Sequence, residues 1–99
     1  MKILALEIEV KDTNNKEFRK YLNEEAEKVY ELYESGIIRE VYFRGDQTTA
    51  VLLLECKDIE EAKSVISSLP LVKNGLITFE VIPLIPYAGF ARLFKNKKS

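Results

Sequence analysis

The sequence predicts a single α+β domain of order β-α-β-β-α-β, built as a four-stranded antiparallel sheet with both helices on one face. Three observations predict it. Apolar residues alternate strictly in segments at the start, middle and end of the chain; two segments between them repeat at helical spacing; and Gly, Asn and Pro stand at the joints.

Residues 2–10 alternate, with Leu4, Leu6, Ile8 and Val10 on one side and Ile3, Ala5, Glu7 and Glu9 on the other. That is a strand with one apolar and one mixed face. "KDTNNKE" is a turn, in which Asn14 followed by Glu17 has the form of a capping box. From Glu17 to Ser35, Phe18, Leu22, Ala26, Val29 and Tyr33 recur at helical spacing, opposite Glu24, Glu27, Lys28, Glu31 and Glu34. One long amphipathic helix is predicted there, closed by Gly36. "IIREVYFRGD" is the second strand and "TAVLLLEC" the third, joined as a hairpin through Gly45 to Thr48. Asp58 with Glu61 caps a shorter helix whose Ile59, Ala62, Val65, Ile66 and Leu69 face inward, and Pro70 stops it. Asn74-Gly75 turns the chain into "LITFEVIPL", where Pro83 marks an edge strand. Right-handed crossovers then give the ferredoxin-like sheet order 4-1-3-2.

Two helices cover only one face of such a sheet. Assigning them the more apolar side of each strand places Leu4, Leu6, Ile8, Val41, Phe43, Leu52, Leu54, Phe79 and Val81 beneath the helices. The open face then carries Ile3, Ala5, Glu7, Glu9, Ile38, Glu40, Tyr42, Arg44, Val51, Leu53, Glu55, Leu76, Thr78, Glu80 and Ile82. In the second strand a one-residue slip would exchange Arg39 for Glu40. An uncovered face mixing apolar and charged side chains fits three readings: a solvated surface, a ligand cavity, or a catalytic cavity formed when two sheets pair as a dimeric α/β barrel. In the paired reading Glu7 and Glu80, on neighbouring strands, are the expected deepest carboxylates, and coupled carboxylates can transfer protons.

Composition excludes other classes. The chain has 99 residues, a size suited to one domain, and a net charge of −1 that offers no general attraction to nucleic acid or anionic membranes. Its third strand lacks the aromatics on which related RNA-binding sheets stack bases. No apolar run reaches the roughly 18 residues of a membrane span, and Glu7 and Glu9 interrupt any signal-peptide core, so a cytoplasmic location is expected. There is no histidine, which excludes Ser-His-Asp and Cys-His catalysis and His-ligated metal within the chain; no metal or other cofactor is expected. The lone Cys56 reads as a core residue. Residues 1–87 form the expected domain. Residues 88–99 read as an oligomerisation arm, with Phe90, Leu93 and Phe94 too apolar for a free tail, followed by a basic end that includes Lys97 and Lys98.

"SLPLVKNGLITFEVIPLIPY", preceded by "VLLLECKDIEEAKSVI", resembles the muconolactone isomerase family of dimeric α/β barrels. The likeness spans residues 2–87, and its distinctive part is Leu69-Pro70-Leu71 at the end of a helix, before an edge strand bearing Glu80. The resemblance implies face-to-face homodimers or larger rings, a pocket for a small organic acid, and double-bond isomerisation by removal and return of a proton. On that basis Glu7 or Glu80 is the expected base and Tyr42 an acid or enolate donor. Arg39 and Arg44 are the expected anchors for a substrate carboxylate, with Glu55 beside them in the ligand site. The architecture carries over; the substrate does not. The alternatives are a non-catalytic structural or regulatory oligomerisation module and a cofactor-free monooxygenase-like barrel.

Overall fold

A computed structural model describes residues 1–10 and 15–95. Its elements are β1 (Lys2–Glu9), α1 (Asn15–Lys20), α2 (Leu22–Glu34), β2 (Ile38–Phe43), β3 (Ala50–Glu55), α3 (Ile59–Ser67), α4 (Pro70–Lys73) and β4 (Ile77–Leu84), followed by a 3-10 helix over Gly89–Leu93. All strand pairs are antiparallel and the sheet order is β2-β3-β1-β4, as the alternation predicts, with β2 and β4 at the edges.

The first helix is two. The chain breaks at Tyr21 (φ −105°, ψ 2°), so α1 and α2 are separate helices where a continuous helix is predicted. The capping box expected at Asn14 lies outside the described residues. At its far end α2 closes in a Schellman motif: Ile37 N–H donates to Leu32 O and Gly36 N–H to Tyr33 O, with Gly36 at φ +86°. The same closure ends α4, where Leu76 N–H donates to Leu71 O and Gly75 takes φ +73°. At the start of α3, Asp58 Oδ1 accepts from Glu61 N–H at 2.8 Å. Glu61 reaches back to the N–H of Lys57, one residue before the cap. Pro70 does not simply stop that helix. It occupies the first turn of α4, where its missing N–H costs nothing.

Two strand phases differ from expectation. Register pairs Ile3 with Leu54 and Ala5 with Leu52 and Val81, so Ile3, Ala5 and Glu7 share the helix-covered face while Leu4, Leu6 and Ile8 lie on the open one. The core supplies the reason: the row of Ile3 and Ala5 is the one that packs against Leu52, Leu54 and Ala62. Ala5 is fully buried in one core cluster with Ala62, Leu52 and Leu54. In β2 a bulge at Arg39 shifts register between Ile38 and Glu40. The extra residue lets Ile38, Val41 and Phe43 all fall on the helix side, so Ile38 is core and both Arg39 and Glu40 are exposed.

Cys56 is buried in the same cluster, and burial pushes its thiol above the ordinary range. Beyond β4 the chain leaves the sheet. Ile85, Tyr87, Phe90, Leu93 and Phe94 are each more than 60% exposed. The radius of gyration is 17.2 Å, against about 13 Å for a compact domain of this size.

Candidate functional site

Between the helices and one end of the sheet lies a cavity of about 640 Å³. Its walls come from every layer: Phe18 of α1; Leu22, Glu25, Ala26 and Val29 of α2; Val41 and Phe43 of β2; Leu52 of β3; Leu69 and Leu71 around α4; Ile77 and Phe79 of β4; and Glu7 of β1. The break at Tyr21 lets Phe18 and Leu22 approach from two helices. The cavity is almost wholly apolar, and among the described residues the only charged side chains on its wall are Glu7 and Glu25.

Each carboxylate is held by one backbone donor. Glu7 Oε1 accepts from Ala50 N–H at 2.8 Å, across the start of β3. Glu25 Oε1 accepts from Leu71 N–H at 2.9 Å, in the first turn of α4. This second bond shows what the Leu-Pro-Leu stretch does here: proline supplies no donor, and the next N–H is left to hold the glutamate. Among the described residues, neither Oε2 has a hydrogen-bond partner. Burial raises the Glu7 carboxyl above its ordinary value, the Ala50 N–H offsets part of the rise, and the Glu9 charge adds to it. Burial likewise raises Glu25, opposed by the Leu71 N–H and assisted by the charge on Glu7.

The structure separates the residues that the sequence groups together. Glu7 reaches the cavity, but on the helix side of the sheet and not the open side. Glu80 pairs with Leu6, lies on the opposite face, and is exposed. The two glutamates therefore form no couple, because the β1 phase is reversed. Tyr42 borders the cavity, yet its hydroxyl donates to Glu40 Oε1 at 2.6 Å, and that bond holds the phenol above its usual range. Arg39 Nε donates to Gly36 O at 2.6 Å, on the bulge. Arg44 forks onto Asp46 with bonds of 2.9 and 2.7 Å at an exposed turn. Glu55 accepts from the Met1 amino group at 2.8 Å. None of Arg39, Arg44, Glu55 and Glu80 lines the cavity. Glu25 is the cavity residue that sequence reading misses. It stands seven residues after Phe18, three after Leu22 and four before Val29, a carboxylate on the inward stripe of the helix. Among the described residues, no group of three His, Cys, Asp or Glu side chains is placed to hold a metal ion, and no helix is long and apolar enough to cross a membrane.

Sheet order, helix placement and a partly open apolar cavity define a ferredoxin-like α+β protein with room for a small molecule. The model of the muconolactone delta-isomerase family matches residues 4–89, and the chain belongs to that family. Among solved structures it is similar to 5-chloro-2-hydroxyhydroquinone dehydrochlorinase from Burkholderia phenoliruptrix AC1100, in complex with 2,5-dihydroxybenzoquinone. The TM-score is 0.64 at 16% identity, over 90% of this chain and 98% of that one, a likeness of fold. Comparison with curated protein sequences finds no match.

Proposed function

We propose that this protein is a homo-oligomeric, cytoplasmic isomerase that binds a small organic molecule in the cavity and moves a proton on it. The observation that carries the reading is the cavity itself, about 640 Å³ and apolar, with two half-buried carboxylates as the only charged wall groups among the described residues. Family membership and the ligand held by the similar dehydrochlorinase support a small-molecule site.

The proton transfer balances with this chain's own groups. Glu7 as carboxylate takes a proton from a carbon next to a carbonyl; the C–H bond breaks, an O–H bond forms, and the electron pair becomes an enolate. Glu25, as the neutral acid, returns a proton at the far end of the conjugated system, and proton exchange with solvent then restores the Glu7 carboxylate and the Glu25 acid. Raised carboxyls suit both roles, since each lies closer to neutrality than a solvated glutamate. Tyr42 can join as an enolate donor once its hydroxyl leaves Glu40. Self-association is supported by the apolar open face of the sheet and by the exposed side chains of residues 85–94.

Conversion of cyclohex-3-enone to its conjugated isomer, followed by absorbance, tests the chemistry. Catalysis by the wild type that falls about a hundredfold or more in both Glu7→Gln and Glu25→Gln is expected. Compounds that bind the cavity but show neither isomerisation nor solvent-deuterium exchange would leave the non-catalytic oligomerising module as the reading.

A further inference from the structure

Of the two edge strands, β4 carries Pro83, which has no N–H to give to a further ladder. β2 has no proline, and among the described residues its outer side pairs with nothing. The Arg44 N–H turns inward to Thr49 O at 2.9 Å. Alternation from that bond gives Tyr42 and Glu40 to β3 as well, and points the N–H and C=O groups of Val41 and Phe43 outward. The side chains of Val41, Tyr42 and Phe43 are all exposed along this edge, Phe43 by 74%. The same three residues stand on the wall of the cavity. An apolar edge with outward backbone groups is a template for one more strand.

Charge complementarity identifies that strand. A second copy of β2 can lie antiparallel on the first about a two-fold axis, its outward residues bonded to those of the first. An axis at Phe43 sets Glu40 against Asp46 of the second copy, and like charges directly opposite destabilise. An axis at Val41 gives Arg39 to Phe43 and leaves Glu40 and Arg44 without an opposite charge. An axis at Tyr42 sets Glu40 against Arg44, Val41 against Phe43 and Tyr42 against its own copy, and the ion pair and the apolar pair each form twice. The atoms for the ion pair are available. The fork onto Asp46 uses Nε and Nη2 of Arg44 and leaves Nη1, and the Tyr42 hydroxyl occupies Oε1 of Glu40 and leaves Oε2. We propose that β2 pairs with β2 of a second copy about a two-fold axis at Tyr42. The two four-stranded sheets then join edge to edge, and Phe43 of the second copy, set against Val41, borders the cavity. This rests on the self-association proposed above and gives it a surface apart from the open face of the sheet.

Amide exchange of the full wild-type chain, followed residue by residue by NMR, decides it, because edge pairing puts hydrogen bonds on the Val41 and Phe43 N–H groups. Where the oligomer predominates, a rise of about a hundredfold in concentration is expected to slow exchange at both about tenfold, as the monomer fraction falls. Pairing of the open faces leaves these two amides unbonded. Arg44→Glu sets like charges across the pair and is expected to weaken association about tenfold in sedimentation equilibrium, while Glu40→Lys combined with Arg44→Glu restores it. Should the variants fail to fold, the wild-type exchange still decides. An oligomer whose Val41 and Phe43 amides exchange at one rate at every concentration, or a double variant no better than Arg44→Glu alone, overturns the inference and leaves self-association standing. A chain that stays monomeric at millimolar concentration overturns both.

Discussion

The two faces of the sheet are built from similar residues and do different work. Beneath the helices, Ile3, Ala5, Leu52 and Leu54 are all but inaccessible, and the row from β1 ends in Glu7 at the cavity. On the open face, Leu4, Leu6, Val51, Leu53 and Ile82 are only half-buried, and Ile8 is 47% exposed. Hydrophobicity alone therefore does not say which side of a central strand is core. The packing partner does: Ala5, the smallest of its row, is fully buried in one cluster with Ala62, Leu52 and Leu54.

The contrast is broken most forcefully from the covered side. Leu54→Ala removes a fully buried side chain from the centre of the cluster, and a loss of about 2–5 kcal/mol is expected in urea unfolding. Leu6→Ala, on the other face of the neighbouring strand, costs less. Its cost grows with protein concentration if a second copy covers that face. Equal, concentration-independent losses at both positions would mean that the two faces are not energetically distinct.

A smaller effect sharpens the same comparison from the open side. Leu53→Asp places a charge at the middle of the open face without touching the core. Sedimentation velocity is expected to show a shift toward monomer with the circular dichroism spectrum unchanged. An oligomer that survives Leu53→Asp, and dissociates only when residues 88–99 are removed, would assign self-association to the arm alone.

Element order and sheet order are legible in the sequence because period and punctuation agree at every joint. The phase of β1 is not, since Leu4, Leu6 and Ile8 make an unbroken apolar row while Glu7 and Glu9 follow Ile3 and Ala5, yet the core takes the Ile3 and Ala5 side. Nor is the bulge at Arg39. A strict alternation from Ile38 to Arg44 sends Ile38 outward, and only the pairing with Leu54 and Leu53 reveals the added residue. The first of these, the phase of β1, leads directly to the pairing of Glu7 with Glu80, which the register places on opposite faces. The observed companion of Glu7, Glu25, lies on a helix stripe read for apolar residues only, and a charged residue at an inward position is the signal that reading discards. The pairing of Glu25 with Leu71 spans 46 residues, beyond what local pattern can show.

The finest distinction between the faces is in protons. For Glu7 and Glu25 the folded state holds its proton more tightly than the unfolded chain, whose carboxyls titrate near the ordinary value of 4.5. Each therefore favours folding fully below that value, and its contribution is lost as pH rises through the higher folded value. Exposed Glu55 and Asp46 act in the opposite sense: the amino group of Met1 lowers the first and Arg44 the second, so their contributions are lost on acidification. The whole-protein stability curve mixes both signs, and only the difference between wild type and variant isolates the cavity. Glu7→Gln keeps an oxygen for the Ala50 N–H and abolishes the titration, as Glu25→Gln does for Leu71. Relative to wild type, both variants are expected to gain stability steadily from acid to neutral pH in urea midpoints. Parallel curves for Glu7→Gln and wild type would mean that the cavity is wet enough to solvate its carboxylates.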